Sequence, residues 1–413
     1  TCVNLGCVPK KILWNLANLK KENRLMAKCG VLTKEAQFAD WETIVKKKQA
    51  FITSLNDEYR RTLEKEGVEL IMGQAELVDN HTIKIGERTL TAEKIVLAVG
   101  GKPSLPSIPG IELAISSDDF FHLNKLPETI LVVGSGYIAV EMACMMANFG
   151  TKVELILRKD RVLSRMDGEA TKFLMNQIEK HRDIIIHKHI DIKSLSGTKE
   201  GKKQALLSDG RVFEADQILF ATGRRSLTDN LGLNNIGIKL TEDKQAIPVK
   251  EDFSTPALDI YAIGDCIGKV ELTPVAIREG RVLAENLFNN TSTKPKFKVD
   301  YENIPTIVFS DPPIASCGLS EEEAIRLYGK DDVVVYKHKF RDLWFSLLPQ
   351  DLKEDSLFKL IGIKSQNNRI VGCVLVGRSA DEIIQSMAIV IKKGATKKDI
   401  DSAIAVHPTS AEQ

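Results

Sequence analysis

The stretch richest in chemistry opens the 413-residue sequence: Thr1-Cys2-Val3-Asn4-Leu5-Gly6-Cys7-Val8-Pro9-Lys10-Lys11. Two sulfurs separated by four residues can cycle between dithiol and disulfide. On a regular helix, residues five apart lie about 8.5 Å from each other. That exceeds the roughly 7 Å Cα separation a disulfide tolerates, so a bridge requires Val3 to Gly6 to leave helical geometry. Gly6 permits the distortion, and Pro9 suits the first turn of a helix that follows. Cys7 would then lie near a helix N-terminus, where the dipole and Lys10 both depress a thiol pKa. Taken alone, the segment leaves open a structural bridge or two idle thiols.

Three more clusters carry chemistry. Gly134-x-Gly136-x-x-Ala139 follows the apolar run Thr129–Val133 and opens a helical stretch through Phe149; a second strand at Lys152–Leu157 completes a βαβ unit. Amides at that helix start suit a pyrophosphate, and Ala139 lets helix and strand pack closely. Where an NAD site places a carboxylate after the second strand, this sequence has Arg158-Lys159. A guanidinium binds a 2′-phosphate bidentately, so NADPH is expected. The strand Ile260–Asp265 ends on Asp265, which can accept hydrogen bonds from sugar or ribityl hydroxyls, and a helix from about Thr273-Pro274 can aim its N-terminus at a nearby ring. A nucleotide site and a dithiol in one chain call for a flavin between them, because no side chain converts hydride delivery into thiol reduction. Near the end, His407-Pro408 with Glu412 supplies an imidazole and a carboxylate able to protonate a leaving thiolate near neutral pH.

The elements that must hold these groups are legible in coarse form. Residues 8–66 read as helices, with Ile12, Leu13, Leu16 and Leu19 sharing one face and a long amphipathic run from Trp41 to Leu63. Val68–Met72, Thr82–Ile85 and Ile95–Val99 read as strands, and Pro103, Pro106 and Pro109 mark a linker. Further strands are expected around Ile184–His187, Ala205–Leu207 and Gln217–Phe220, a helix over about Pro274–Phe288, and an α+β segment beyond Lys296. The net charge of +1 gives no footprint for nucleic acid, and no run of about 18 apolar residues reads as a membrane span. Seven scattered cysteines, with no C-x-x-C pair, argue for a reducing compartment and against a metal site.

Together these residues resemble the pyridine nucleotide–disulfide oxidoreductases over essentially the whole chain, and within that family the members that reduce glutathione disulfide. The resemblance rests on Cys2-Val3-Asn4-Leu5-Gly6-Cys7-Val8-Pro9-Lys10-Lys11, the glycine turn with Arg158, and His407-Pro408-Thr409-Ser410-Ala411-Glu412. It implies an α/β fold with two Rossmann-like nucleotide-binding domains, the FAD one incomplete, and a C-terminal α+β dimerisation domain. The implied boundaries are 1–126 and 226–298 for FAD, 127–225 for NADPH and 299–413 for the interface. It further implies a relay. NADPH would bind at Gly134, Gly136 and Ala139 with Arg158 on its 2′-phosphate, and Tyr137 would move aside for the nicotinamide. Lys10 and Glu141 resemble an ion pair beside the flavin, Arg224 lies near the cofactors, and Thr1, Asp265 and the backbone at Thr273 match FAD contacts. Cys7 matches the flavin-proximal sulfur of a redox-active Cys2–Cys7 disulfide, and Cys2 the thiol that attacks substrate. His407, oriented by Glu412, matches an acid–base residue supplied by the second subunit of a homodimer.

For the substrate, Tyr59 and Arg281 match positions that contact glutathione disulfide, and an arginine suits glycyl carboxylates. Trypanothione-reducing relatives lack that charge, and high-molecular-weight thioredoxin reductases extend past the His-Pro motif; a non-catalytic dimeric scaffold would need none of these groups together. Two departures stand out: Ser164 occupies a family position for the second 2′-phosphate cation, with Lys159 or Arg165 to substitute, and Val99 replaces a common threonine. The family's first glycine-rich βαβ unit, which binds the ADP of FAD, is expected ahead of Cys2, so this stretch by itself is expected to be an inactive fragment. A cytoplasmic enzyme is expected, a mitochondrial form remaining open.

Overall fold

The structure, a computed structural model, describes residues 2–37, 40–180, 183–289 and 297–413. The chain divides into two compact units. One comprises Thr1–Pro9, Lys47–Ser104 and Gly223–Tyr301, the other Lys10–Lys46, Leu105–Thr222 and Glu302–Gln413.

In the first unit, Ile95–Leu97 pairs in parallel with Ile260–Ala262. The apolar side chains of these short strands pack with Ile247, Phe253, Val282 and Leu283 in one buried cluster. Val282 and Leu283 belong to the helix Thr273–Phe288, so this core fixes where that helix begins. An antiparallel meander of Ala75–Leu77, Thr82–Ile85 and Arg88–Thr91 lies in the same unit, as does the pairing of Gly101–Pro103 with Arg224–Ser226. The strand expected at Val68–Met72 does not form: Met72 is 78% exposed, and the segment has no ladder partner among the described residues. An extended chain becomes a strand only when a neighbour takes up its backbone groups.

The second unit holds the expected βαβ unit with the expected bounds: Thr129–Val133, the helix Tyr137–Phe149 and Lys152–Leu157. Its parallel sheet runs Gln217–Phe220, Thr129–Val133, Lys152–Leu157, Ile184–Lys188. Ile130 to Val133 are buried, as a central parallel strand covered on both faces must be. The helix Tyr137–Phe149 is buried from Ala139 to Phe149, which fits a helix apolar on every side apart from Glu141 and Asn148, both of which are paired. The C-terminal part is α+β: an antiparallel sheet ordered Thr306–Val308, Ile314–Gly318, Arg369–Val376, Ser356–Ile363, Val333–Phe340, with the helix Ala380–Lys392 packed on it.

The helix Cys7–Lys28 corrects the hydrophobic face read from sequence. Leu13, Ala17, Lys21 and Leu25 are buried at every fourth position, whereas Leu19 is 55% exposed. Lys21 can occupy a core position because its ammonium donates to Asp311 at 2.8 and 2.9 Å and to Glu354 at 2.6 Å. Asn148 donates to the same Asp311 at 2.9 Å. Burial opposes the charge on Lys21, yet the two carboxylates hold its pKa above the ordinary lysine range. Removing the cation would leave two carboxylates facing each other without it. Lys21→Met should therefore cost about 3 kcal/mol or more, read as a lower urea midpoint; an unchanged midpoint would show the triad to be dispensable.

Candidate active site

The redox segment is built by a helix break. A short helix, Cys2–Leu5, and the long helix Cys7–Lys28 meet at a bend at Gly6. The break is narrower than the sequence suggests: Val3 to Leu5 stay helical and Gly6 alone departs. Cys7 is thus the first residue of the long helix, and Pro9 stands in its first turn, where a missing N–H costs no hydrogen bond. The helix Thr273–Phe288, with Pro274 in its own first turn, begins beside it and places Thr273 Oγ1 3.7 Å from Cys7 Sγ. Two helix N-termini therefore converge on the sulfurs, both favouring negative charge.

Both cysteines are thiols in this structure. The Cys2 thiol is lowered to about 6: a hydrogen bond from Cys7 is the largest cause, burial opposes it, and Thr273 contributes a second hydrogen bond. Sequence reasoning put the depressed pKa on Cys7. The shift that the hydrogen bond between the two sulfurs produces falls on Cys2. At neutral pH the pair carries one thiolate, the form that attacks a disulfide.

Around this pair, Asn56 Nδ2 donates to Asn4 Oδ1 at 2.8 Å, tying the short helix to the helix Trp41–Lys65 that carries Tyr59. Tyr59 and Arg281 are exposed and bond to no described residue, so Arg281 is free to take a carboxylate, though neither is hydrogen-bonded to the cysteines. Arg224 donates to the carbonyl of Gly101 at 2.7 Å. Asp265 is half-buried, and no described donor reaches its carboxylate; burial, then Glu271, raise its pKa. A carboxylate in that state fits a ligand hydroxyl, as a flavin's ribityl chain or a ribose would supply. Thr1 lies outside the described residues.

The second unit holds the other expected groups. Lys10 Nζ lies 3.0 Å from Glu141 Oε1, and Glu141 is buried. Phe309 braces both partners: its backbone N–H donates to Glu141 Oε1 at 2.9 Å, and its ring centroid is 3.7 Å from Lys10 Nζ. In the glycine turn Gly134 has φ +141°, and a Cβ there would come within 2.4 Å of the Ala221 carbonyl oxygen. Gly136, the N-cap of the next helix, has open space where its Cβ would project. Tyr137 at the helix start is half-exposed, whereas Ala139 is fully buried against the turn. Arg158, Lys159 and Arg165 are exposed and pair with no described residue. A helix start, space at the turn and unpaired cations beyond the second strand fit a nucleotide bearing a 2′-phosphate.

His407 is 79% exposed, and its Nδ1 lies 2.9 Å from Glu412 Oε2. The carboxylate is fixed by the Thr409 backbone N–H at 3.1 Å, and the hydrogen bond from His407 lowers its pKa first. With Nδ1 engaged, Nε2 is left to exchange protons outward. Sequence reasoning missed the Thr273 hydroxyl at the sulfurs and the Phe309 brace. No local pattern signals either, since the Cys7–Thr273 contact spans 266 residues.

A dithiol at converging helix ends, a glycine-turn nucleotide unit and a C-terminal α+β sheet define a nucleotide-dependent disulfide oxidoreductase. The chain belongs to the pyridine nucleotide-disulphide oxidoreductases: that family's model matches residues 1–280, and its dimerisation domain matches 304–413. Flavin and nicotinamide cofactor use follows from that membership. The chain is similar to the glutathione reductases of Nostoc sp. (38% identical), Schizosaccharomyces pombe (36%) and Debaryomyces hansenii (35%). Each match covers 100% of this chain and 89 to 90% of the relative. Among solved structures it resembles RclA, an HOCl-induced flavoprotein disulfide reductase of Escherichia coli, at 25% identity and a TM-score of 0.85, over 100% of this chain and 89% of that one.

The depressed thiol makes a direct prediction. Because the thiolate is the nucleophile, iodoacetamide labelling of the reduced protein should rise through pH 6 and level off by about pH 7.5, well below an ordinary thiol near 8.5. Thr273→Val should move that midpoint upward; a parent midpoint above 8 would remove the account of the pair.

Proposed function

We propose that this chain catalyses the NADPH-dependent reduction of glutathione disulfide to two molecules of glutathione, as a homodimer carrying FAD. The observation that carries this reading is the Cys2–Cys7 pair, with Cys7 at the start of one helix and 3.7 Å from the Thr273 hydroxyl at the start of another. The Cys2 thiolate attacks one sulfur of glutathione disulfide, forming a mixed disulfide and expelling a glutathione thiolate. His407 of the partner subunit, held by Glu412 through Nδ1, protonates the thiolate that leaves. Cys7 then attacks the Cys2 sulfur, its proton passing to the departing sulfur, which releases the second glutathione and closes the Cys2–Cys7 disulfide. Bound FAD and NADPH supply the two electrons that reopen it. Lys10, paired with Glu141, keeps a fixed cation one helical turn beyond Cys7, and Asp265 with Arg224 and Thr273 orients the flavin. Arg158, with Lys159 or Arg165, takes the 2′-phosphate.

Arg281 with Tyr59 supports glutathione disulfide over the cationic trypanothione, since an unpaired guanidinium attracts carboxylates and repels amines. The place of action is a reducing compartment, the cytoplasm, in keeping with seven scattered cysteines that include no C-x-x-C pair. The test is steady-state NADPH oxidation by the full-length, FAD-loaded protein against glutathione disulfide, trypanothione disulfide and oxidised thioredoxin. Glutathione disulfide should be turned over far faster than the others. Arg281→Glu should raise its KM about tenfold or more while leaving kcat within about twofold. Preferential turnover of either competitor would overturn the assignment.

A further inference from the structure

One buried charge cluster takes no part in the chemistry above. Lys359, on the C-terminal strand Ser356–Ile363, has a side chain only 1% exposed. Its ammonium lies 2.9 and 3.1 Å from the two oxygens of Asp167, 3.3 Å from Glu169 and 2.6 Å from Glu321. Lys337 on the neighbouring strand reaches Glu169 at 2.6 Å.

Asp167 is also the N-cap of the helix Gly168–Glu179, accepting from the Ala170 N–H at 3.0 Å. Its other oxygen accepts from the backbone N–H of Glu321, at the start of the helix Glu321–Tyr328, at 3.2 Å. That helix returns the favour, since Glu322 Oε1 accepts from the Gly168 N–H at 3.0 Å. Each helix start thus takes a carboxylate from the other, and Lys359 neutralises the junction.

The segment ending at Asp167 is the one that carries Arg158, Lys159 and Arg165. Its far side is pinned to the glycine turn by the Leu163 N–H on the Ser135 carbonyl, 2.8 Å. Arg161 pins the middle, donating to the Ser164 carbonyl at 3.0 Å and to Thr171 Oγ1 at 3.4 Å. The segment's three outward cations pair with no described residue, so Arg165 is positioned by the backbone on either side of it, Leu163 and Ser164 before it and Asp167 two residues on. Without Lys359, Asp167 would be a buried carboxylate beside two others, and relief would require the junction to open.

We propose that Lys359 is a positioning residue for nucleotide choice: through Asp167 it fixes the basic segment so that the 2′-phosphate is recognised. The proposal rests on the NADPH reading above. Its test is calorimetric binding of 2′,5′-ADP and of ADP, which differ at the 2′-phosphate, to the full-length protein. Lys359→Met should weaken 2′,5′-ADP about tenfold and ADP less than twofold. Asp167→Asn combined with Lys359→Met, which removes the stranded charge, should recover most of the loss. Should Lys359→Met fail to fold, Glu321→Gln should shift 2′,5′-ADP alone by about two- to threefold. Equal weakening of both ligands would reduce Lys359 to a structural role, and no change in either would dismiss it; both overturn the proposal. A parent protein that binds the two ligands equally would fail differently, by removing the NADPH reading itself.

Discussion

Everything at the redox centre depends on where one helix starts. Had the chain continued helical through Gly6, Cys2 and Cys7 would stand about 8.5 Å apart on different faces and share no proton. Because the long helix begins at Cys7, the sulfur takes a first-turn position that the dipole favours, and the helix Thr273–Phe288 brings a hydroxyl to 3.7 Å. The same start places Lys10 one turn on, where Glu141 meets it at 3.0 Å.

Three paired lysines do comparable work in the second unit. Lys10 is paired with Glu141, Lys21 with Asp311 and Glu354, and Lys359 with Asp167, Glu169 and Glu321. Such pairs contribute little net stability compared with an apolar core, because desolvation offsets much of the attraction. They do specify which segments meet. Except for Glu321, each partner lies more than a hundred residues from its lysine in sequence, so the pair dictates register where apolar contacts alone would tolerate slippage.

Much of this was legible beforehand. The bounds of Thr129–Val133, Tyr137–Phe149 and Lys152–Leu157 follow from an apolar run, a glycine turn and a second apolar run, all local signals. His407 with Glu412 was readable because five residues of chain hold both. What failed to show was tertiary. Val68–Met72 has strand composition, but pairing decides strands and composition does not. Leu19 yields the buried stripe to Lys21 because distant carboxylates make a lysine acceptable in the core. Thr273 looked like backbone facing a ring, yet its hydroxyl reaches the sulfurs, and Phe309 and Lys359 carried no signal at all.

The account stands or falls on Cys2 as the sulfur that meets the substrate. The direct measurement is peptide-mapped mass spectrometry of reduced Cys7→Ser and Cys2→Ser variants after incubation with glutathione disulfide at pH 7. The Cys2 thiolate should displace one glutathione and retain the other, so Cys7→Ser should carry a glutathione adduct on Cys2 while Cys2→Ser stays unmodified at Cys7. An adduct on Cys7 of equal yield, or none on Cys2, would contradict it.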